Sequence, residues 1–92
     1  MSKSFSVVYT FSALKDLRTI EKKYAQKIVL TIQKYTNNNP LEKSKKLSGI
    51  LEGLYRYRIG DYRVIFQINN LDTPIIITIL RIKHRKDVYR GL

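Results

Sequence analysis

The 92-residue sequence contains no cysteine and only one histidine, His84. Without cysteine the chain has neither a disulfide framework nor a thiolate metal site, and a single histidine cannot form a histidine cluster. We therefore expect its chemistry to need no metal ion and no cofactor.

Long apolar runs are also missing. The longest, around residues 75–80, is far shorter than the roughly 18 residues that a membrane-spanning helix requires. The first residues, MSKSFSVVYTFSAL, are interrupted by Ser6, Thr10 and Ser12 and contain no clear small-residue cleavage site, which argues against a signal peptide. The sequence therefore predicts a cytoplasmic protein.

Acidic residues are scarce: seven Asp and Glu stand against eighteen Lys and Arg, which gives a formal charge of +11 and a pI near 10.1. The 43% of hydrophobic residues is enough for a folded core, and the length predicts one domain, residues 1–92. Such a charge attracts polyanions, so nucleic acid is the favoured partner. An anionic membrane surface, an acidic protein, or no special partner at all are the alternatives.

Hydrophobic spacing predicts the order of elements. Residues 5–9 alternate as in a strand, and two stretches of helical spacing follow, ending at NNNP, residues 37–40. A basic loop with room for one helical turn comes next, and then strands at 54–59, 62–68 and 75–83. The order β-α-α-β-β-β predicts the α+β class, with an antiparallel sheet packed on a helical hairpin.

The segment LYRYRIGDYRVIFQI, residues 54–68, places three arginines in one hairpin. If Gly60 and Asp61 form a two-residue turn, Arg58 faces Arg63 and Arg56 lies on the same face of the sheet. The opposite face is then a core face, formed by Tyr55, Tyr57, Ile59, Tyr62, Val64, Phe66 and Ile68.

Arg58 opposite Arg63 is unfavourable by up to about 1 kcal/mol, because like charges on paired strands repel. An anion between the two guanidinium groups reverses the sign of this interaction, and their forked donors match phosphate oxygens. The alternative is a solvated face on which the long side chains splay apart.

Alternation in the last strand predicts that Arg81, Lys83 and Arg85 join the arginine face, while residues 76, 78, 80 and 82 pack on the helices. The isoleucines at 75, 77 and 79 would then lie on the open face, where another part of the chain or a partner protein should cover them.

The chain resembles the RelE/ParE superfamily of bacterial and archaeal toxins from type II toxin–antitoxin systems. The resemblance rests on the element order, on KKLSG before the hairpin, on YRYRIGDYRVIFQI and on the terminal HRKDVYR. It implies the RelE-like fold and a small cytoplasmic toxin neutralised by a cognate acidic, RelB-like antitoxin, with operator DNA contacted only through that antitoxin. For the RelE-like branch it implies a ribosome-dependent endoribonuclease, or mRNA interferase, that contacts ribosomal RNA and no membrane.

The resemblance also implies where the site residues lie. They are Arg56 and Arg58 before the turn, Arg63 after it, and Lys83, His84 or Arg85 together with Tyr89 near the C-terminus. The best-known RelE pattern has lysine at the first two positions. Because arginine, unlike lysine, cannot be tuned toward neutrality, the identity of the general base stays open.

Cutting RNA without a metal requires removing the 2′-OH proton, stabilising charge on the phosphate and protonating the departing 5′ oxygen. Arg58 and Arg63 suit the second task. Histidine is the side chain that titrates near neutrality, so His84 is a candidate for proton transfer, and Tyr89 is another. The alternative is that His84 is only a polar surface residue. Alternation of side chains along the last strand places His84 on the core side of the sheet, unless the strand ends by Ile82.

Three lysines of the basic loop either hold phosphates or only solubilise the loop: Lys43, Lys45 and Lys46. Two further functions stay open. One is a ParE-like toxin of the same fold that inhibits DNA gyrase and cuts no RNA, and the other is a binding-only co-repressor module. The facing arginines, and His84 with Tyr89, favour cleavage, because a toxin that only binds needs no group of residues centred on a phosphate.

Overall fold

The computed structural model describes residues 5–37, 39–69 and 75–87. In these ranges the elements, in chain order, are β1 (Phe5–Tyr9), α1 (Phe11–Thr19), α2 (Lys22–Asn37), β2 (Ser44–Lys46), a 3₁₀ turn (Gly49–Leu51), β3 (Tyr55–Ile59), β4 (Tyr62–Asn69) and β5 (Ile75–His84). The predicted α+β class is confirmed. Neither helix in the described ranges combines the length and the apolar character that crossing a membrane would need.

The strands form one mixed sheet in the order β1-β5-β4-β3-β2. β1 runs parallel to β5, and the other neighbouring pairs are antiparallel. The predicted sheet was wholly antiparallel and lacked β2, because a three-residue strand is too short to show an alternating pattern. The helical turn allowed for in the same loop is present as the 3₁₀ turn.

The two helices lie next to each other in sequence and are separated by an extended residue. Ile20 has φ −95° and ψ 139°, which ends α1 before α2 begins at Lys22. The predicted helical spacing is confirmed in α2, where Ile28 and Ile32 are buried in the core between helices and sheet.

The core between helices and sheet is centred on aromatic side chains of the hairpin. Tyr57 and Phe66 are fully buried and stack with ring centroids 4.3 Å apart. The Tyr57 hydroxyl donates a hydrogen bond of 2.6 Å to the carbonyl of Pro40, which fixes the chain after α2. Burial, together with the nearby Tyr35, raises the pKa of Tyr57, so it stays a neutral donor. The predicted core face of the hairpin is confirmed.

A β-bulge interrupts β5 at Leu80. Phe66 pairs with Ile79 and Ile65 pairs with Arg81, so Leu80 is an extra residue on β5. One extra residue reverses which side chains face the helices, and the side chain of Leu80 packs with Ile65 on the other face of the sheet.

The isoleucines of β5 therefore do not lie where alternation predicted. Ile77 and Ile79 are fully buried against the helices, and beyond the bulge the even-numbered Ile82 takes that place. The expectation of open isoleucines was wrong for residues 77 and 79. The helix-side core covers these two, so they need no partner protein.

Thr10 joins the start of α1 to β5. Its Oγ1 accepts a hydrogen bond from the Ala13 amide (3.0 Å) and donates one to the Leu80 carbonyl (2.9 Å). Thr10→Val keeps the volume and removes both bonds, so we expect the free energy of unfolding in urea to fall by about 1–2 kcal/mol. Thr10→Ser keeps the hydroxyl and should lose less than half of that. Equal losses in both variants would show that the hydroxyl contributes nothing.

Candidate functional site

Three cations line up across adjacent strands on the face of the sheet opposite the helices. Arg58 of β3 pairs with Arg63 of β4, and Arg63 pairs with Lys83 of β5. Directly paired residues point to the same face of a sheet. The register predicted from a turn at Gly60 and Asp61 is confirmed.

A second row lies next to the first, one step further from the turn. In it Lys45 of β2 pairs with Arg56, Arg56 pairs with Ile65, and Ile65 pairs with Arg81. We call the six cations of the two rows the cationic face: Lys45, Arg56, Arg58, Arg63, Arg81 and Lys83. The expected convergence of Arg81 and Lys83 on the arginine face is confirmed in register.

An apolar segment covers part of this face. Ile65 is fully buried, and it packs with Leu47, Leu51 and Leu54 of the chain between β2 and β3. Ile65, which lies between Arg56 and Arg81 in the second row, is therefore covered by this segment. The row of Arg58, Arg63 and Lys83 lies on the turn side of this cover.

Arg63 is the most fixed member of the row. Its side chain is buried, and Nη1 donates hydrogen bonds of 3.0 Å to the carbonyls of Gly60 and Tyr62. Gly60 has φ +58°, a left-handed conformation that glycine adopts without strain. The two bonds use one nitrogen of a group with five N–H donors. The turn thus holds a guanidinium group whose geometry suits an anion.

The charge of Arg63 is crowded. Burial lowers the pKa of its guanidinium group, and the neighbouring charges of Arg58, Arg56 and Arg85 lower it further. Arginine nevertheless stays protonated. Arg58 is exposed, so it can move to meet a ligand, whereas Arg63 is already in place. The crowding favours a bound anion.

Arg81 forms a two-point ion pair with an acidic side chain of α1. Its Nε and Nη2 donate to the two carboxylate oxygens of Asp16 on α1, at 2.9 and 3.0 Å. Burial opposes ionisation of Asp16, but the hydrogen bonds from Arg81 and from the Ile82 amide outweigh it, so the pKa of Asp16 is lowered. Arg81, expected to bind RNA, is thus partly neutralised within the chain.

Nothing in the sequence indicated that Asp16 belongs to the site. It is one acidic residue on an otherwise ordinary amphipathic helix, and its partner lies 65 residues away in the chain. No local pattern connects two such positions.

His84 lies on the other face of the sheet from Arg58 and Arg63. β5 continues through His84, which pairs with Tyr62, and their rings meet edge to face at 5.6 Å. His84 lines a cavity of about 300 Å³ beneath α2, together with Tyr24 and Tyr62. Its Nδ1 accepts the Lys86 amide at 3.3 Å. The strand thus brings Lys83, and not His84, beside Arg63.

The remaining predicted residues lie around the edges of the site. Arg85 is exposed just beyond β5, 3.9 Å from the Asp61 carboxylate. Lys43 is exposed in the turn before β2, and Lys46 pairs with Tyr55, a residue of the core face. Tyr89 lies outside the described residues. Within residues 5–37, 39–69 and 75–87, no cluster of three or more acidic or histidine side chains is placed to hold a metal ion.

The facing arginines should reduce the stability of the unliganded protein. Arg58→Gln removes one charge from an exposed position, so we expect the free energy of unfolding at low salt to rise by up to about 1 kcal/mol. Half-molar salt should remove most of the gain, because added ions screen exposed charges. Lys22→Gln, the same charge change at an exposed position on α2, is the control. A gain that persists in high salt would rule out repulsion as its cause.

A family model described as the ParE toxin of the type II toxin–antitoxin system parDE matches residues 7–89. Toxin RelG of Mycobacterium tuberculosis is 30% identical over 86 residues, covering 94% of this chain and 97% of that protein. Toxin RelE of the same organism is 35% identical over 86 residues, covering 94% and 87%. The solved RelBE2 toxin–antitoxin complex of M. tuberculosis matches with a TM-score of 0.82 at 28% identity, covering 95% of this chain and 98% of that one. The match to the family model spans the whole cationic face.

Proposed function

Because the chain belongs to the RelE/ParE family of type II toxins, we propose that it is an endoribonuclease that cuts messenger RNA on the ribosome without a metal ion. The observation that carries the proposal is the alignment of Arg58, Arg63 and Lys83 across three adjacent strands. Three cations on one face, one of them fixed by the hairpin turn, form a site for a single phosphate.

In the proposed reaction the ribose 2′ oxygen attacks phosphorus and the bond to the 5′ oxygen breaks, leaving a 2′,3′-cyclic phosphate and a 5′-hydroxyl. Negative charge develops on the non-bridging oxygens in the transition state. Arg63 is positioned to stabilise that charge because its guanidinium group is fixed before the substrate arrives. Arg58, which is exposed, closes on the phosphate from the neighbouring strand.

Two protons must also move, and arginine suits neither transfer. Lys83 can exchange a proton and pairs with Arg63, so we assign it the protonation of the departing 5′ oxygen. His84 faces the helix side, and we assign it no direct contact with the phosphate. Tyr89 stays a candidate for accepting the 2′-OH proton or stacking on a base.

The proposed partners follow from the charge. The solved RelBE2 complex contains an antitoxin bound to its toxin. We propose that an acidic RelB-like antitoxin binds this chain, whose formal charge is +11, and that operator DNA is contacted only through that antitoxin. Messenger RNA and ribosomal RNA would be the polyanions bound by the free toxin.

A purified translation system followed by primer extension on a reporter message tests the cleavage. We expect new 5′ ends at codon-defined positions with the wild-type protein. Arg63→Ala should slow cleavage about 10²- to 10³-fold, because a fixed charge-stabilising donor is lost. Lys83→Ala should slow it more than His84→Ala, and Lys22→Ala, an exposed position on α2, should leave it unchanged.

Folding and chemistry are separated in that assay by Arg63→Lys. This variant keeps the positive charge but loses the fork of donors, and circular dichroism reports whether it is folded. A folded Arg63→Lys protein that cleaves at the wild-type rate would contradict the role given to the guanidinium group. A His84→Ala loss larger than that of Lys83→Ala would reverse the proton assignment.

The second candidate function is inhibition of DNA gyrase, which is favoured by the matching ParE model. An intact message together with inhibited supercoiling by purified gyrase would replace the first proposal by this one. An intact message with normal supercoiling would leave the binding-only co-repressor.

A further inference from the structure

The outer edge of β5 has two kinds of partner. As far as Ile79 it pairs with β1, whose ladder ends where the Thr10 amide donates to the Ile79 carbonyl at 3.0 Å. β5 continues to His84 beyond that point, and side chains take the place of the missing strand. Thr10 Oγ1 donates to the Leu80 carbonyl, and Asp16 Oδ2 accepts the Ile82 amide at 2.9 Å.

The carboxylate of Asp16 thus holds three N–H donors from two consecutive residues of β5. Two come from the Arg81 guanidinium group and one from the Ile82 backbone. The side chains of Asp16 and Arg81 are 16% and 26% exposed, so the pair is shielded from solvent more than an ordinary surface ion pair. These bonds lie immediately after the bulge at Leu80 and immediately before Lys83.

The position of the bulge decides which face Lys83 occupies. The side-chain period of a strand is two, so moving the bulge to the far side of Lys83 would send Lys83 to the helix side. On its inner edge β5 is held in register by β4. On its outer edge, between Leu80 and Lys83, the described contacts that hold the backbone come from Thr10 and Asp16.

We propose that Asp16 is a positioning residue for the cationic face: by binding Arg81 and the Ile82 amide together, it fixes the bulge and holds Lys83 in line with Arg63. This inference rests on the proposed cleavage of RNA for its catalytic consequence. Its structural part, the fixing of β5, does not depend on that function.

The Asp16 carboxylate also makes the positive charge of Arg81 less available to the substrate. Asp16 partly neutralises Arg81, which lies on the face that the RNA backbone would contact. Removing the carboxylate therefore has two opposite effects. Lys83 loses its alignment, which slows the chemistry, and Arg81 becomes available to a phosphate, which tightens binding.

The test is Asp16→Asn in the full-length protein, with kcat and KM measured on ribosome-bound message over a range of salt concentrations. We expect kcat to fall about 10- to 100-fold, as for a misplaced catalytic group. KM should stay the same or decrease at low salt. The plot of log affinity against log salt should steepen by about 0.7, the value for one additional phosphate contact on a single strand.

Glu21→Gln is the matched control, since it changes the net charge equally at an exposed position between the helices. It should leave kcat unchanged. Asp16→Glu keeps the carboxylate and should recover part of kcat. A wild-type kcat in Asp16→Asn, or losses in kcat and affinity that are equal in Asp16→Asn and Glu21→Gln, would overturn the proposal.

Hydrogen exchange separates this inference from the proposed function. In Asp16→Ala, whose side chain has no acceptor, the Ile82 amide should exchange at least about 10-fold faster than in the wild type, while the Phe66 amide in β4 keeps its protection. If neither Asp16 variant folds, Arg81→Gln is measured instead: it keeps the bond to the Ile82 amide and should lower kcat less than 10-fold without tightening binding. Unchanged Ile82 exchange in a folded Asp16→Ala would refute the positioning role of Asp16, even if the wild type proves to be an active ribonuclease. A wild type that leaves the message intact would refute the function alone.

Discussion

Packing on the opposite face of the same hairpin holds Arg58 and Arg63 opposite each other despite the repulsion between their charges. Tyr57 stacks on Phe66 at 4.3 Å and Tyr55 stacks on it at 5.7 Å, all inside the helix-side core. Each aromatic contact contributes about 0.5–1.5 kcal/mol beyond the burial of its area, which exceeds the roughly 1 kcal/mol lost to one pair of facing like charges. A slip of one residue would expose the aromatic side chains, so the register that the core requires is also the one that assembles the cations.

The repulsion between Arg58 and Arg63 therefore destabilises the unliganded protein, and a bound anion relieves that repulsion. The guanidinium group of Arg63 is oriented by the turn carbonyls before any anion binds, so the proposed reaction would need little reorganisation when charge develops on the phosphate. After burial, the neighbouring positive charges also lower the pKa of Arg63, and a polyanion on that face relieves this crowding. The proposed substrate RNA and the proposed acidic antitoxin would therefore compete for the same electrostatic gain.

The sequence predicted those parts of the fold in which local rules decide the structure. Alternation and the Gly60–Asp61 pair were sufficient for the hairpin, its register and its two faces, and helical periodicity was sufficient for α2. The failures have one kind of cause, which is that the deciding contact is remote in the chain. The bulge at Leu80 lies beside backbone contacts from Thr10 and Asp16, which are separated in the chain from their partners by 70 and 66 residues. β2 is a strand because β3 lies beside it, and its three residues contain no pattern of their own.

The bulge also decides which of two neighbouring candidates for proton transfer lies on the cationic face. His84 is the natural choice by chemistry, yet Lys83 and His84 are consecutive in a strand and must lie on opposite faces. Which of them lies beside Arg63 is decided by the bulge at Leu80, three residues before Lys83, because the one extra residue sets which side chains of the rest of β5 face the helices. Moving the bulge beyond these residues would place His84 on the cationic face and Lys83 on the helix side, but it would also take Ile82 out of the core. The burial of Ile82 and the contacts at the edge of β5 therefore require the same register, and that register places Lys83 beside Arg63.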